Sequence, residues 1–267
     1  MKIFVCAKEV LDPDAVNNYA LAGRLEIGED EKTLTQSTIP ALMNAYDEQA
    51  LEVALRLRDA GAECTIHVVS VGEDRTALLR HAASIGADDV TQITPPTASP
   101  DCHATASLLA AHIKAQDGAD LVLCGRQASD DDQGVVPGLL AEALGMPLVN
   151  VARAIEARAG TLCVTRVTPD GDESVEVEGA AVVTLSNEVG EPRYPTAANK
   201  LKSRRVKPTL IEAGALGLAN EALSGRVRVV RQFVPEIQQD CEFISGDTPR
   251  ELAAGLMKKL REDRLVS

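Results

Sequence analysis

The residues best placed to do chemistry form one run, Gly125-Arg126-Gln127-Ala128-Ser129-Asp130-Asp131-Asp132-Gln133-Gly134. It follows the apolar stretch Leu121-Val122-Leu123-Cys124 and precedes a helical pattern that opens at Pro137. A glycine at each end lets the backbone approach a ligand closely, and Gln127 and Ser129 offer polar edges. The helix that follows presents its N-terminal amides to an anion. These are tools for binding a nucleotide. The three carboxylates oppose a phosphate, so they point outward, cap the helix or meet a ribose. An acidic first turn that only suits the helix dipole has the same composition. Neither a lysine-bearing phosphate loop nor a Gly-x-Gly-x-x-Gly fingerprint occurs, so phosphoryl transfer and ordinary dinucleotide binding lack their marks. No nucleophile–base pair or carboxylate dyad stands out, and no catalytic residue is assigned.

A second group of residues suits recognition. After the apolar run 180–185, the turn Glu191-Pro192-Arg193-Tyr194-Pro195 sets a tyrosine between two prolines. Lys200, Lys202, Arg204, Arg205 and Lys207 then fall within eight positions of a chain whose net charge is −13. A rigid turn with a basic tail is poor core material and good docking material. The same charges also read as an ordinary solvated face.

The elements that must position these groups are legible in composition. The 267 residues are 45% apolar, yet include only three Phe, three Tyr and no Trp. A core of Ala, Val, Leu and Ile suits a parallel sheet flanked by helices of small residues. The acidic balance argues against a general nucleic-acid binder. No run approaches the roughly 20 apolar residues that span a bilayer. The six cysteines contain no Cys-x-x-Cys pair and the four histidines lack ligand spacing, so reduced thiols and no metal are expected. A strand at 2–7 leaves no room for a leader peptide, which makes the cytoplasm the expected location.

Along the chain, strands at 2–7, 64–71, 89–93, 121–124 and 148–155 alternate with helices at 47–60, 75–85, 102–115 and 137–144. The segment from the first strand through residue 38 reads as a polar loop. This rhythm predicts a Rossmann-like, doubly wound parallel sheet of order 3-2-1-4-5. Its switch point lies between the first and fourth strands, which puts Cys6 and Ala7 beside the 125–134 loop. Residues 160–185 read as hairpin strands about Pro169-Asp170-Gly171-Asp172. From 186 an extended arm is expected, with a late strand at 226–231 and a closing helix at 248–264. The domains are taken as 1–185, the nucleotide-binding part with its hairpin, and 186–267, the recognition loop and C-terminal arm.

Five segments in this order resemble the beta subunit of electron transfer flavoprotein. They are the opening strand with Lys8, Asn44-Ala45-Tyr46-Asp47-Glu48, Gly125-Arg126-Gln127-Ala128 with its acidic run, Glu191-Pro192-Arg193-Tyr194, and the basic arm. The resemblance implies a heterodimer with a larger alpha subunit that holds most of a redox-active FAD. It also implies a structural AMP in this subunit's own pocket. Electrons would pass from flavin dehydrogenases to an electron transfer flavoprotein–quinone oxidoreductase or another acceptor, and the chain would be a carrier, not an enzyme. By position, Cys6, Ala7, Asn44, Ala45, Tyr46, Asp47, Val71 and residues 125–134 with Val135 and Val136 fall on the AMP site. Tyr46 also falls where a side chain approaches the flavin. Glu191, Arg193, Tyr194, Ala197, Lys200, Leu201, Lys202 and Arg204 fall on the docking surface.

The chain also departs from the family pattern. Val135, Val136 and Pro137 replace polar phosphate donors, and Val167 stands where a glutamate pairs with the alpha subunit. Pro13 replaces a tyrosine that lies near the flavin, and Ala197 replaces a leucine anchor, leaving Leu201 or Tyr194 to share that role. Two alternatives stay open: a bifurcating relative with a second FAD in place of AMP, and a stand-alone adenine-nucleotide-binding stress protein.

Overall fold

The computed structural model describes residues 1–158, 160–234 and 241–266. The chain opens with β1 (Lys2–Cys6), and a ribbon of β2 (Glu9–Leu11) and β3 (Ala41–Met43) brackets α1 (Pro13–Leu21). From α2 (Ala45–Asp59) the alternation is regular: β4 (Thr65–Val71), α3 (Thr76–Ile85), β5 (Asp89–Thr94), α4 (Cys102–Ala115), β6 (Leu121–Gly125), α5 (Val136–Leu144) and β7 (Leu148–Arg158). Next come β8 (Thr161–Thr168), β9 (Gly171–Glu178), β10 (Ala181–Leu185), α6 (Ala197–Ser203), β11 (Thr209–Glu212), α7 (Asn220–Leu223) and α8 (Pro249–Glu262).

The expected α/β class and doubly wound parallel sheet are borne out. A nine-stranded sheet runs β11-β5-β4-β1-β6-β10-β7-β8-β9, with only β7-β8 and β8-β9 antiparallel. One apolar layer lies under α2 and α3, the other under α4 and α5. Pro137 sits in the first turn of α5 and left-handed Gly145 ends it, as the sequence suggests.

The order 3-2-1-4-5 needs one correction: β10 stands between β6 and β7. All five residues of β10 are buried, whereas β7 buries only Val149, Ala152 and Ile155. A strand apolar on both faces needs a cover on both faces, so it takes the centre and displaces the half-polar strand outward. The hairpin at Pro169 is confined to β8 and β9.

Two further expectations are corrected. The stretch to residue 38 contains α1, capped by Asp12 with Pro13 in its first turn, a start signal passed over in the sequence. Residues 226–231 form no strand; the Arg226 and Val227 amides donate to the Asp101 carboxylate that also caps α4, the latter at 2.9 Å. The region after 185 is more structured than an arm, because α6 packs on α3 and β11 pairs in parallel with β5.

The compact α/β unit runs Met1–Gln232, so the expected boundary after residue 185 falls inside it. The described residues beyond it carry α8, closed by a reciprocal Thr248–Glu251 capping box. Leu252, Leu256 and Met257 of α8 are exposed. Residues 235–240 of the expected arm lie outside the described residues. No described helix is long and apolar enough to cross a membrane, and no described group of His, Cys, Asp or Glu could hold a metal ion.

Candidate functional site

Sheet order reverses between β1 and β6, so a crevice opens beyond their carboxyl ends. Its floor is Cys6 and Ala7, both buried, with Lys8 emerging above them. The Asn44 amide donates to the Lys8 carbonyl at 2.9 Å and starts α2 over the crevice. One turn in, Asp47 is buried and accepts from the amides of Lys8 and Gly125, each at 2.8 Å. A single carboxylate therefore ties together both strand ends at the switch point. Burial pushes Asp47 up to about 7, and the two amides with Asn44 only partly offset it.

Gly125 is fixed by this contact. A Cβ there would overlap Asp47 and lie 2.8 Å from Tyr46 Cβ and 3.0 Å from Asn44 Nδ2. The Asn44 side chain donates to the Gln127 carbonyl at 2.9 Å, and the Arg126 amide to the Leu185 carbonyl at 2.8 Å. Both hold the loop to its neighbours. Gly134 has φ +60°, and a Cβ on it would sit 2.8 Å from the Arg126 carbonyl oxygen, so the loop closes only with glycine there. Val135 leads into α5 and no side chain caps that helix.

The acidic run turns outward. Lys8 Nζ lies 2.7 Å from Asp130 and 3.3 Å from Asp131, while Gln127 Nε2 donates to Asp132 at 2.8 Å. None of the three caps α5, so its first turn, which lacks an N–H at Pro137, takes no side-chain bond from them. Lys8 is the cation that pairs with these carboxylates at the mouth of the crevice. No site role was assigned to it from the sequence, although its place two residues past the end of β1 was the available signal.

The expected nucleotide residues are therefore brought together. Asn44, Tyr46 and Asp47 pack around Gly125, Asn44 reaches the Gln127 carbonyl, and Ala45 is exposed beside them. Arg126, Ser129, Asp130, Asp131, Asp132, Gln133 and Val135 are exposed on the loop, Ala128 is buried and Val136 half-buried. Val71 ends β4, two strands from β6 across β1. Just beyond it the Arg75 guanidinium lies against Gly72 and pairs with Glu9 of the ribbon.

The second site is the turn after β10. Arg193 is bound to Glu52 of α2 through Nε at 2.8 Å and its amide at 3.1 Å, and to Asp59 at 2.7 Å. Arg56 joins from the other side, with Glu52 at 2.8 Å and the Val189 carbonyl at 2.8 Å. Burial raises Glu52, but the bonds from Arg193 and Arg56 outweigh it and hold its carboxyl below the usual value. These partners direct Arg193 inward. The fixed turn projects Tyr194, 88% exposed, and α6 adds Leu201 at 64%. Glu191, Ala197, Lys200, Lys202 and Arg204 are exposed around them. Nothing in the sequence paired Arg193 with Glu52, because they stand 141 positions apart.

The fold and sites define a class: a doubly wound α/β protein with a glycine-bounded crevice at its switch point and a clamped, projecting turn. The family model of the electron transfer flavoprotein domain matches residues 32–213. The chain is 31% identical over 271 residues to the caffeyl-CoA reductase-Etf complex subunit CarD of Acetobacterium woodii, covering all of both chains. It is 31% identical over 272 residues to the electron transfer flavoprotein subunit beta of Clostridium acetobutylicum, again covering all of both. With the same subunit of Megasphaera elsdenii the identity is 29%, over 98% of this chain and 93% of the relative. The chain belongs to the electron transfer flavoprotein family as a beta-type subunit, and its work is electron transfer.

Proposed function

We propose that this chain is the beta subunit of a heterodimer, binding AMP in its own crevice and forming one wall of a FAD site completed by an alpha subunit. The observation that carries the reading is the switch-point crevice, where Asp47 and Gly125 bring α2 and the 125–134 loop together. Lys8 draws two carboxylates off the uncapped start of α5, so a phosphate meets backbone amides there. Val135 and Val136 supply no side-chain donors, and those amides with Gly134 would carry the anion alone. FAD, when bound, supplies the redox chemistry. The residues of this chain position and shield it and hand it to partners, and no catalytic residue is assigned.

Tyr194 and Leu201 are the proposed anchors for a flavin dehydrogenase, with Lys200, Lys202 and Arg204 steering an acidic surface onto them. Relatives named for caffeyl-CoA and acryloyl-CoA reductases support a partner that handles CoA thioesters. A quinone oxidoreductase or another acceptor would take the electrons on, and the cytoplasm is the proposed location.

The test is co-expression with the companion alpha subunit, gel filtration, and analysis of the released nucleotides. A yellow 1:1 complex with one FAD and one AMP is the expected result. Two FAD and no AMP would replace the AMP assignment with a second flavin. A colourless, self-associating chain would overturn the heterodimer itself.

A further inference from the structure

Two thiols lie side by side in the floor of the crevice. Cys6 of β1 and Cys124 of β6 are direct partners in the parallel ladder. Both side chains belong to the apolar layer under α4 and α5, so they leave the sheet on the same face. Neighbouring strands stand about 4.8 Å apart. That spacing lies inside the roughly 4.4–6.8 Å between α-carbons that a disulfide spans. The neighbouring Cys6 thiol, together with burial, pushes the Cys124 thiol well above its ordinary range. The ladder sets Cys163 opposite Glu176, Cys64 precedes β4, Cys102 opens α4, and Cys241 is exposed beyond the α/β unit.

We propose that Cys6 and Cys124 are an oxidation-sensitive dithiol that a peroxide closes to a reversible disulfide. Cys6, the more exposed of the two residues at 8% against 4%, is assigned as the first to meet a small oxidant. Its thiolate attacks one peroxide oxygen and the O–O bond breaks. The departing oxygen leaves as water once protonated, and Cys6 becomes a sulfenic acid. The Cys124 sulfur then attacks Cys6 sulfur, an S–S bond forms and the S–O bond breaks. The proton of Cys124 leaves with that oxygen as a second water. In sum, two thiols give two electrons and two protons to one peroxide.

Disulfide geometry brings β-carbons to about 3.8 Å, closer than a relaxed ladder holds them. The bond therefore draws the ends of β1 and β6 together just before the Lys8 and Gly125 amides that hold Asp47. A bond formed under such strain belongs to the readily reduced class. The pairing is a property of the ladder, whatever the crevice binds.

The test treats the full chain with hydrogen peroxide, blocks remaining thiols under denaturing conditions, and maps unreduced peptides by mass spectrometry. A peptide pair joined through Cys6 and Cys124, and lost on adding dithiothreitol, is expected. In Cys6→Ser, Cys124 should stay fully blockable after the same treatment. Recovery of both as free thiols once exposed Cys241 is fully oxidised would overturn the proposal, as would Cys124 joined to any other cysteine. The wild-type map decides the matter even if the variant does not fold.

Discussion

Asp47 shows how much one side chain settles at this site. Its carboxylate accepts from two amides that belong to different strands, and burial lifts it to about 7. An acid raised in the folded state binds its proton more tightly there than in the unfolded chain. Its contribution is therefore most favourable below the ordinary value of 3.8 and declines as pH rises toward about 7. Urea unfolding of wild type and Asp47→Asn at about pH 5 and about pH 8 checks this. The variant should lose this downward component. It should also be less stable at the lower pH by about 1–3 kcal/mol, because its amide NH2 faces a backbone donor. Gly125→Ala pushes a methyl into Asp47, Tyr46 and Asn44. A cost of about 1–3 kcal/mol is expected in the same assay. Nucleotide content of the purified variant should fall as well; an unchanged midpoint would show that the crevice is looser than this packing.

Among the elements, the turn after β10 depends on α2 for its shape. Glu52 holds Arg193 by side chain and backbone, and Arg56 holds the Val189 carbonyl, so the turn is tied to the helix at both ends. Arg193→Ala should cost about 1–3 kcal/mol, less than the ~3–5 kcal/mol of a fully buried broken pair, since Arg56 still meets Glu52 and the arginine is partly exposed. Limited proteolysis across residues 186–196 should then speed up, and a turn as resistant as wild type would remove the clamp's role. Glu52 also opposes Asp47 in its pH response. A carboxyl held low in the fold contributes stability above its unfolded value of 4.5, and that contribution is lost as pH falls through the folded value.

For the whole molecule, charge is the relevant quantity. A body of net charge −13 repels acidic partners at long range, except where the cations of α6 reverse the local sign. Lys202→Glu combined with Arg204→Glu should therefore slow reduction of the complex by the proposed dehydrogenase partner at low salt. The difference should shrink as ionic strength rises, while the folded chain keeps its stability within about 0.5 kcal/mol. Stopped-flow reduction across a salt series measures this, and equal rates at low ionic strength would take the docking role away from α6. Leu252, Leu256 and Met257 give α8 an exposed apolar face. Its amides should gain hydrogen-exchange protection when the companion subunit is added.

What the sequence determined by itself is what local periodicity encodes. The alternation of apolar strands with amphipathic helices gave the class and the winding. Pro137 and Gly145 gave the limits of α5, and Gly125 and Gly134 marked the loop that closes the crevice. Relations between distant residues had no local signal. The apolar run 181–185 read as one more hairpin strand, and only the need to cover both its faces put it beside β6. Arg193 read as a docking side chain until the fold set it against Glu52. Asp47, placed on the nucleotide site by resemblance alone, became the tie between two strands. Tertiary structure decided these placements because burial and long-range hydrogen bonding depend on what lies across the sheet, and a chain read in order does not carry that information.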